Sequence, residues 1–169
     1  MRLFFHRQLT WLLIAAVFVS LSACGFKMRG PVDLPFHSIY VAIPDASLLG
    51  SELRRQLHAN GHTEVLPSAD GAQVIMDVLQ ESKEKQILSL NSQGRVREYT
   101  LLYNFSFRLR NAQGKEFLEP VKMQLKRTIT YNEDVVLAKE YEEASLYRDM
   151  QNDLVQQVMR RLSVVKMGD

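Results

Sequence analysis

The chain holds a single cysteine, Cys24, and the residues around it point to acylation. It closes Leu21-Ser22-Ala23-Cys24 at the end of an apolar run that is preceded by Arg2 and Arg7. Residues 9–21 (LTWLLIAAVFVSL) are too short to cross a hydrocarbon core of about 30 Å comfortably. A positive start followed by a short apolar run is the pattern of a secretory signal, not of a membrane helix. A small residue directly before the cysteine makes the thiol the acceptor of a diacylglyceryl group. Cleavage then leaves Cys24 as the mature N-terminus, with a further acyl chain on its amine. Two or three chains, at about 0.8 kcal/mol per buried methylene, hold a protein on a membrane stably where one does not. Gly25 follows the cysteine; an Asp there is the inner-membrane retention signal of enterobacterial sorting, so Gly25 favours the outer membrane. With its one thiol acylated, the mature domain can form no internal disulfide.

Other reactive groupings are poorly supported. The chain has no Gly-rich phosphate loop, nucleophile elbow or zinc-type His/Cys spacing. His58 and His62 are four apart but straddle Gly61 at a helix end, which argues against a shared metal. Asp77, Glu81 and Glu84 have no base near them in sequence, so acid–base catalysis is not indicated. The expectation is a protein without catalytic residues, metal or cofactor beyond the lipid on Cys24. Removing residues 1–23 takes away Arg2 and Arg7 and no acid, so 21 basic residues become 19 against 19 acidic. A balanced chain offers no basic excess for nucleic acid.

The 146 residues left after removing 23 from 169 suit one domain with a sizeable core. Residues 24–36, with two glycines and two prolines, read as a lipidated tether, and 37–169 as the domain. Ile39, Val41 and Ile43 alternate toward Pro44, a short strand. Leu49, Leu53 and Leu57 form one helical stripe, with Asp45 or Ser47 as its cap and Asn60-Gly61 as its stop. Val74, Met76 and Val78 alternate before a turn at residues 91–94 (NSQG). Beyond it, Tyr99, Leu101, Tyr103, Phe105, Phe107 and Leu109 occupy successive odd positions, a long strand with one buried face. Counting back from a Leu90–Arg95 pair sets Met76 opposite Leu109 and Val78 opposite Phe107. Counting from an Asn111–Lys115 pair sets Phe105 opposite Val121 in a third strand, which also carries Met123, Leu125, Ile129 and Tyr131. Residues 137–165 switch to helical spacing, with Tyr147, Met150, Leu154, Val158 and Leu162 on one side. The order βαβββα predicts a two-layer α+β sandwich, a mostly antiparallel sheet with both helices on one face.

The other sheet face is then uncovered. By parity it presents Asn104, Arg108, Arg110, Lys122, Gln124, Lys126 and Thr128. It is polar with a basic bias, either a solvated surface or a docking face for a polar wall or a phosphorylated glycolipid. Apolar alternation stops over residues 80–86 (QESKEKQ) while the partner strand continues, so the hairpin is expected to project beyond the helices. Its tip holds Asn91 and Gly94, flanked by Arg95 and Arg97.

Residues 24–30 (CGFKMRG), residues 94–99 (GRVREY) after the hairpin turn, and Leu137-Ala138-Lys139 at the start of the last helix occur in an order that resembles the LPS-assembly lipoprotein family LptE. The resemblance covers nearly all of the mature chain. It implies an outer-membrane lipoprotein that plugs the LptD β-barrel, one to one, and helps deliver lipopolysaccharide to the outer leaflet. It also implies lipopolysaccharide contacts from basic residues at the hairpin tip and in the Leu-Ala-Lys segment. Lys139 matches the second directly, as either a ligand or a solvated lysine. At the tip Ser92 stands where the family places an Arg, leaving Arg95 and Arg97 as neighbouring cations. Asn91, Gly94, Arg108, Lys122 and Lys126 are the partner-facing candidates. The competing class is a free-standing periplasmic ligand-binding lipoprotein, which requires a concave apolar pocket.

Overall fold

The computed structural model describes residues 33–167; the signal segment, Cys24 and the tether up to residue 32 lie outside them. In chain order the elements are β1 (Ser38–Ala42), α1 (Leu48–Ala59), β2 (Glu64–Leu66), β3 (Val74–Leu90), β4 (Val96–Arg110), β5 (Glu116–Thr130), a 3₁₀ turn (Glu133–Val135) and α2 (Val136–Leu162). The strands form one sheet in the order β2-β1-β3-β4-β5. β1 runs parallel to both of its neighbours, whereas β3, β4 and β5 form an antiparallel meander.

The expected α+β sandwich is present, with one strand more than the pattern reveals. Glu64-Val65-Leu66 is too short to display a period. It pairs because α1 returns the chain alongside β1, where the Glu64 N–H donates to His37 O at 2.8 Å. α1 is defined by its own residues. Ser47 accepts from the Gly50 N–H at 3.0 Å, satisfying one of the unpaired donors of the first turn, and Leu49, Leu53 and Leu57 are fully buried. Gly61, at φ 72°, provides the left-handed turn after the helix. The core begins upstream of residue 37: Leu34 and Phe36 are buried, and Thr63 Oγ1 donates to Phe36 O at 3.1 Å.

Both helices pack on the odd-numbered face of β4. Leu101, Tyr103, Phe105, Phe107 and Leu109 are buried there against Leu53 and Leu57 of α1 and Met150, Leu154, Val158 and Leu162 of α2. Met76 opposes Leu109 and Val78 opposes Phe107 as expected. The tip, however, pairs Leu90 with Val96 and not with Arg95. Extra residues at Leu79 and Leu88 on β3 and at Arg97 on β4 reconcile the two ends, the last two offsetting each other. Each bulge inserts an unpaired residue and turns the strand's faces over. Between β4 and β5 the count from Asn111 and Lys115 does not survive. Phe105 faces Met123, and Val121 faces Phe107. Two successive shifts, one on either side of Leu109, move the register by two residues. An even displacement returns each apolar residue to the same face. Pro120 lies in this irregular stretch of the edge strand, a position that tolerates the missing N–H.

Phe105 is 1% exposed and its ring lies 5.7 Å from that of Phe107. Phe105→Ala is expected to cost about 3–5 kcal/mol, as large-to-small core changes do. A denaturant midpoint unchanged from wild type would place Phe105 outside the core.

Candidate functional site

The uncovered face is built by β3, β4 and β5, with no helix against it among the described residues. Its polar groups are largely occupied by one another. Asn104 Nδ2 donates to Glu84 Oε1 at 2.7 Å and to Ser82 Oγ at 3.3 Å, and Gln124 Nε2 donates to Asn104 Oδ1 at 2.7 Å. This chain of bonds crosses all three strands. At the end of the face far from the hairpin tip, Asp77 accepts from Arg110 Nε at 2.7 Å and Nη2 at 3.2 Å, and from Arg108 Nε at 3.0 Å. Arg108 Nη1 donates also to Glu116 at 3.2 Å.

The basic bias expected for this face is therefore smaller than parity implied. Arg108 and Arg110 are neutralised by Asp77 and Glu116. Lys122 and Lys126 remain, among the described residues, without an acidic partner. Asp77 is the hub of this ion cluster. Burial raises its pKa, but the bonds from Arg110 and Arg108 and their charges outweigh that and hold the carboxyl below its ordinary value of 3.8.

The hairpin tip and the start of α2 meet at the other end. Gly94, at φ 78°, closes the turn. Asn91 Oδ1 accepts from the N–H groups of Gln93 at 2.9 Å and Arg95 at 3.0 Å. The Asn91 side chain thus holds the turn, although the residue is exposed at the tip. Arg95 Nη1 reaches Glu133 at 3.0 Å across exposed surface, and Arg97 is exposed without an ion-pair partner among the described residues. Lys139, expected to be open to solvent, has a side chain only 18% exposed; its Nζ donates to Glu142 at 2.8 Å and Thr130 Oγ1 at 3.0 Å. Apolar side chains stand exposed at the same end: Ile87, Leu88 and Leu90 on the hairpin, and Val135, Val136, Leu137 and Tyr141 around the start of α2. Such a grouping of exposed apolar residues at one end of a domain marks a contact surface.

The hairpin does not outrun its helices over residues 80–86. The first half of α2 lies over this stretch: Tyr147 Oη donates to Glu84 O at 2.8 Å, and Lys85 Nζ reaches Glu143 at 2.5 Å. Because the bulge at Leu79 turns the strand over, Glu81, Lys83 and Lys85 face the helix side, paired with Phe105, Tyr103 and Leu101. Tyr103 Oη donates to Glu81 at 2.7 Å. Burial first, then that carboxylate, raises the Tyr103 pKa far above its ordinary value of 10.0 and keeps the phenol protonated. Between the strand and α2 runs an open groove of about 540 Å³, lined among others by Leu48, Lys83, Lys85, Glu143 and Tyr147. The lost alternation over residues 80–86 was the sequence signal for it.

Among the described residues, no helix is long and apolar enough to cross a membrane. Residues 36–162 match the model of the family described as "LptE: Lipopolysaccharide-assembly". The "LPS-assembly lipoprotein LptE" of Photorhabdus laumondii is 26% identical over 163 residues, covering 95% of this chain and 87% of that protein. Its namesake in Yersinia enterocolitica is 27% identical, with 95% and 77% covered. Among solved structures, a lipoprotein B from Nitrosomonas europaea is 38% identical, with a TM-score of 0.71 over 82% of this chain and 90% of that one. The rare lipoprotein B of Shewanella oneidensis, 21% identical at a TM-score of 0.65 over 75% and 94%, shares the fold.

Because the folded-state pKa of Asp77 is lowered, its contribution to stability is present above its unfolded value and lost as pH falls through the folded one. Asp77→Asn is expected to lower stability at pH 7 and to reduce the loss that wild type suffers below pH 3.8. Parallel pH–stability curves for the two proteins would remove the ion cluster from the account.

Proposed function

The chain belongs to the LptE family of lipopolysaccharide-assembly lipoproteins, and from that membership we propose that it is the plug of an LptD β-barrel in the outer membrane. In this reading it is acylated at Cys24, stands one to one with the barrel, and helps pass lipopolysaccharide to the outer leaflet.

The observation that carries the reading is the uncovered face of β3–β5. A barrel lumen is lined by polar groups where a sheet faces water. A partner lodged there must lay polar surface against the wall without leaving charges unpaired, which costs several kcal/mol. The Ser82–Asn104–Glu84–Gln124 network and the Asp77–Arg108–Arg110–Glu116 cluster meet that requirement before any partner arrives. Lys122 and Lys126 are left to answer acidic groups of the wall. The free-standing ligand-binding alternative is less well supported, since the groove beside α2 is open and carries charged walls.

Lipopolysaccharide presents phosphates and acyl chains together. The hairpin end offers both kinds of partner: Arg95, Arg97 and Lys139 beside Ile87, Leu88, Leu90 and Leu137. Arg95 and Lys139 sit in exposed or half-exposed pairs with Glu133 and Glu142. The exposed Arg95–Glu133 pair is worth about 0–1 kcal/mol, so a phosphate can displace Glu133.

Two measurements test the proposal. Reversing Arg95, Arg97 and Lys139 to Glu is expected to leave the fold intact and weaken lipopolysaccharide binding, with wild-type affinity falling as salt rises. Retention of full affinity would reject these three residues as ligands. Detergent extraction of the acylated protein is expected to bring a large β-barrel with it in equal amount, and Cys24→Ala to abolish palmitate labelling. Recovery without a barrel partner would reject the plug role.

A further inference from the structure

The first half of α2 sits on the sheet without a core beneath it. All the buried residues of this helix, from Met150 to Leu162, lie in its second half. In residues 136–149 only Leu146 and Tyr147 touch the core, and both are half-buried. The helix start has no side-chain cap. Where a sheet packs against a helix its facing residues are normally apolar, yet distal β3 turns Lys83 and Lys85 to this side. A local violation of that rule is where a functional site is expected.

The two lysines are held from below by aromatic rings. Lys83 Nζ lies 5.0 Å from the Tyr103 ring centroid and 5.5 Å from that of Tyr147. Lys85 Nζ lies 4.4 Å from the ring of Tyr99 and 5.9 Å from that of Tyr131. Tyr99 and Tyr131 themselves meet edge to face at 5.4 Å. Tyr99 and Tyr103 belong to β4, and Tyr131, just after β5, donates its N–H to Arg97 O at 2.8 Å, so these three rings stay with the sheet whatever α2 does. α2 runs alongside these fixed cations and leaves both of them exposed, and its Glu143 carboxylate bonds Lys85 at 2.5 Å. Lys83 has no carboxylate within ion-pair distance among the described residues.

We propose that Lys83 and Lys85 form a phosphate-binding floor. Residues 136–149 are a displaceable strap beside it, tethered by Glu143, the internal counter-ion that an external phosphate group replaces. Once the tether is replaced the strap melts, because a helical segment of this length is marginal in water when separated from its support, and weakly packed elements open sub-globally at low cost. A phosphate group is the fitting ligand because it offers several charged oxygens to two ammonium groups spaced about 7 Å apart along one strand face. The inference does not depend on the plug role, and the floor is separate from Arg95, Arg97 and Lys139.

Hydrogen exchange on the full mature chain tests it at fixed ionic strength, with the folded state checked by the protection of residues 150–162. In wild type the amides of residues 136–149 are expected to exchange at least tenfold faster than those of 150–162. Tripolyphosphate is expected to accelerate them about tenfold further than sodium chloride of equal ionic strength. Lys83→Gln with Lys85→Gln is expected to abolish that specific acceleration. Glu143→Gln is expected to speed strap exchange without phosphate and to tighten tripolyphosphate binding about tenfold. A parallel arm replaces tripolyphosphate with phosphatidylcholine vesicles carrying phosphatidic acid. A lysine-dependent response to the soluble probe assigns the floor to free phosphate, and one to vesicles alone assigns it to a lipid headgroup. Uniform protection along α2, or equal responses to phosphate probes and chloride, would overturn the proposal.

Discussion

The alternate residues Leu101, Tyr103, Phe105, Phe107 and Leu109 of β4 must be kept from water on a single side of one strand, and the rest of the domain is arranged around that requirement. β3 and β5 flank the strand and extend its apolar face, and α1 and α2 cover it. Burial of such side chains is worth about 1.5–3 kcal/mol each, which makes it the main favourable contribution in a domain without a disulfide. It also dictates the opposite face. With period two, every apolar residue committed inward commits its neighbour outward, and the polar face of the meander is the unavoidable complement of the core.

Protecting that parity explains the irregularities of the sheet. Around Leu109 two shifts between β4 and β5 add to an even displacement, so the apolar set of β5 stays inward despite Pro120 and the altered count. At Leu79 a single bulge is left uncompensated over the following residues, and the strand turns over. Up to that point β3 faces the helices with Val74, Met76 and Val78; beyond it the same side carries Glu81, Lys83 and Lys85. One inserted residue converts a packed helix–sheet contact into a charged groove, and the covering helix changes character with it, from the buried run after Met150 to the acidic first half.

The domain thus has two electrostatic regimes. On the open face and at its Asp77 end, carboxylates and guanidinium groups are satisfied within the sheet, which suits surface that another polar wall must cover. Around the hairpin and the start of α2, cations are held by exposed or half-exposed pairs beside uncovered Ile87, Leu90, Leu137 and Tyr141. Those interactions exchange easily with an outside anion. In the proposed plug role, this asymmetry would give a settled surface to a permanent neighbour and a labile end to a passing one.

Much of this was already legible in the residues themselves. The α1 stripe, the inward side of β4 and the uncovered polar face follow from short-range spacing, because each is a property of neighbouring residues on one element, and the family resemblance was carried by short motifs in order along the chain. What only the tertiary structure decided are the consequences of insertions and of long side chains meeting across elements. β2 has too few residues to show a period and exists because α1 delivers it to the edge of β1. Phe105 meets Met123 and not Val121 because two bulges intervene. Lys139 is half-covered because Thr130 and Glu142 lie within its reach. Arg108 is neutralised by Asp77, 31 residues away, a pairing that no local spacing encodes. The charged groove escaped the sequence reading for the same reason: a bulge reverses which side chains face inward while leaving the order of the residues unchanged.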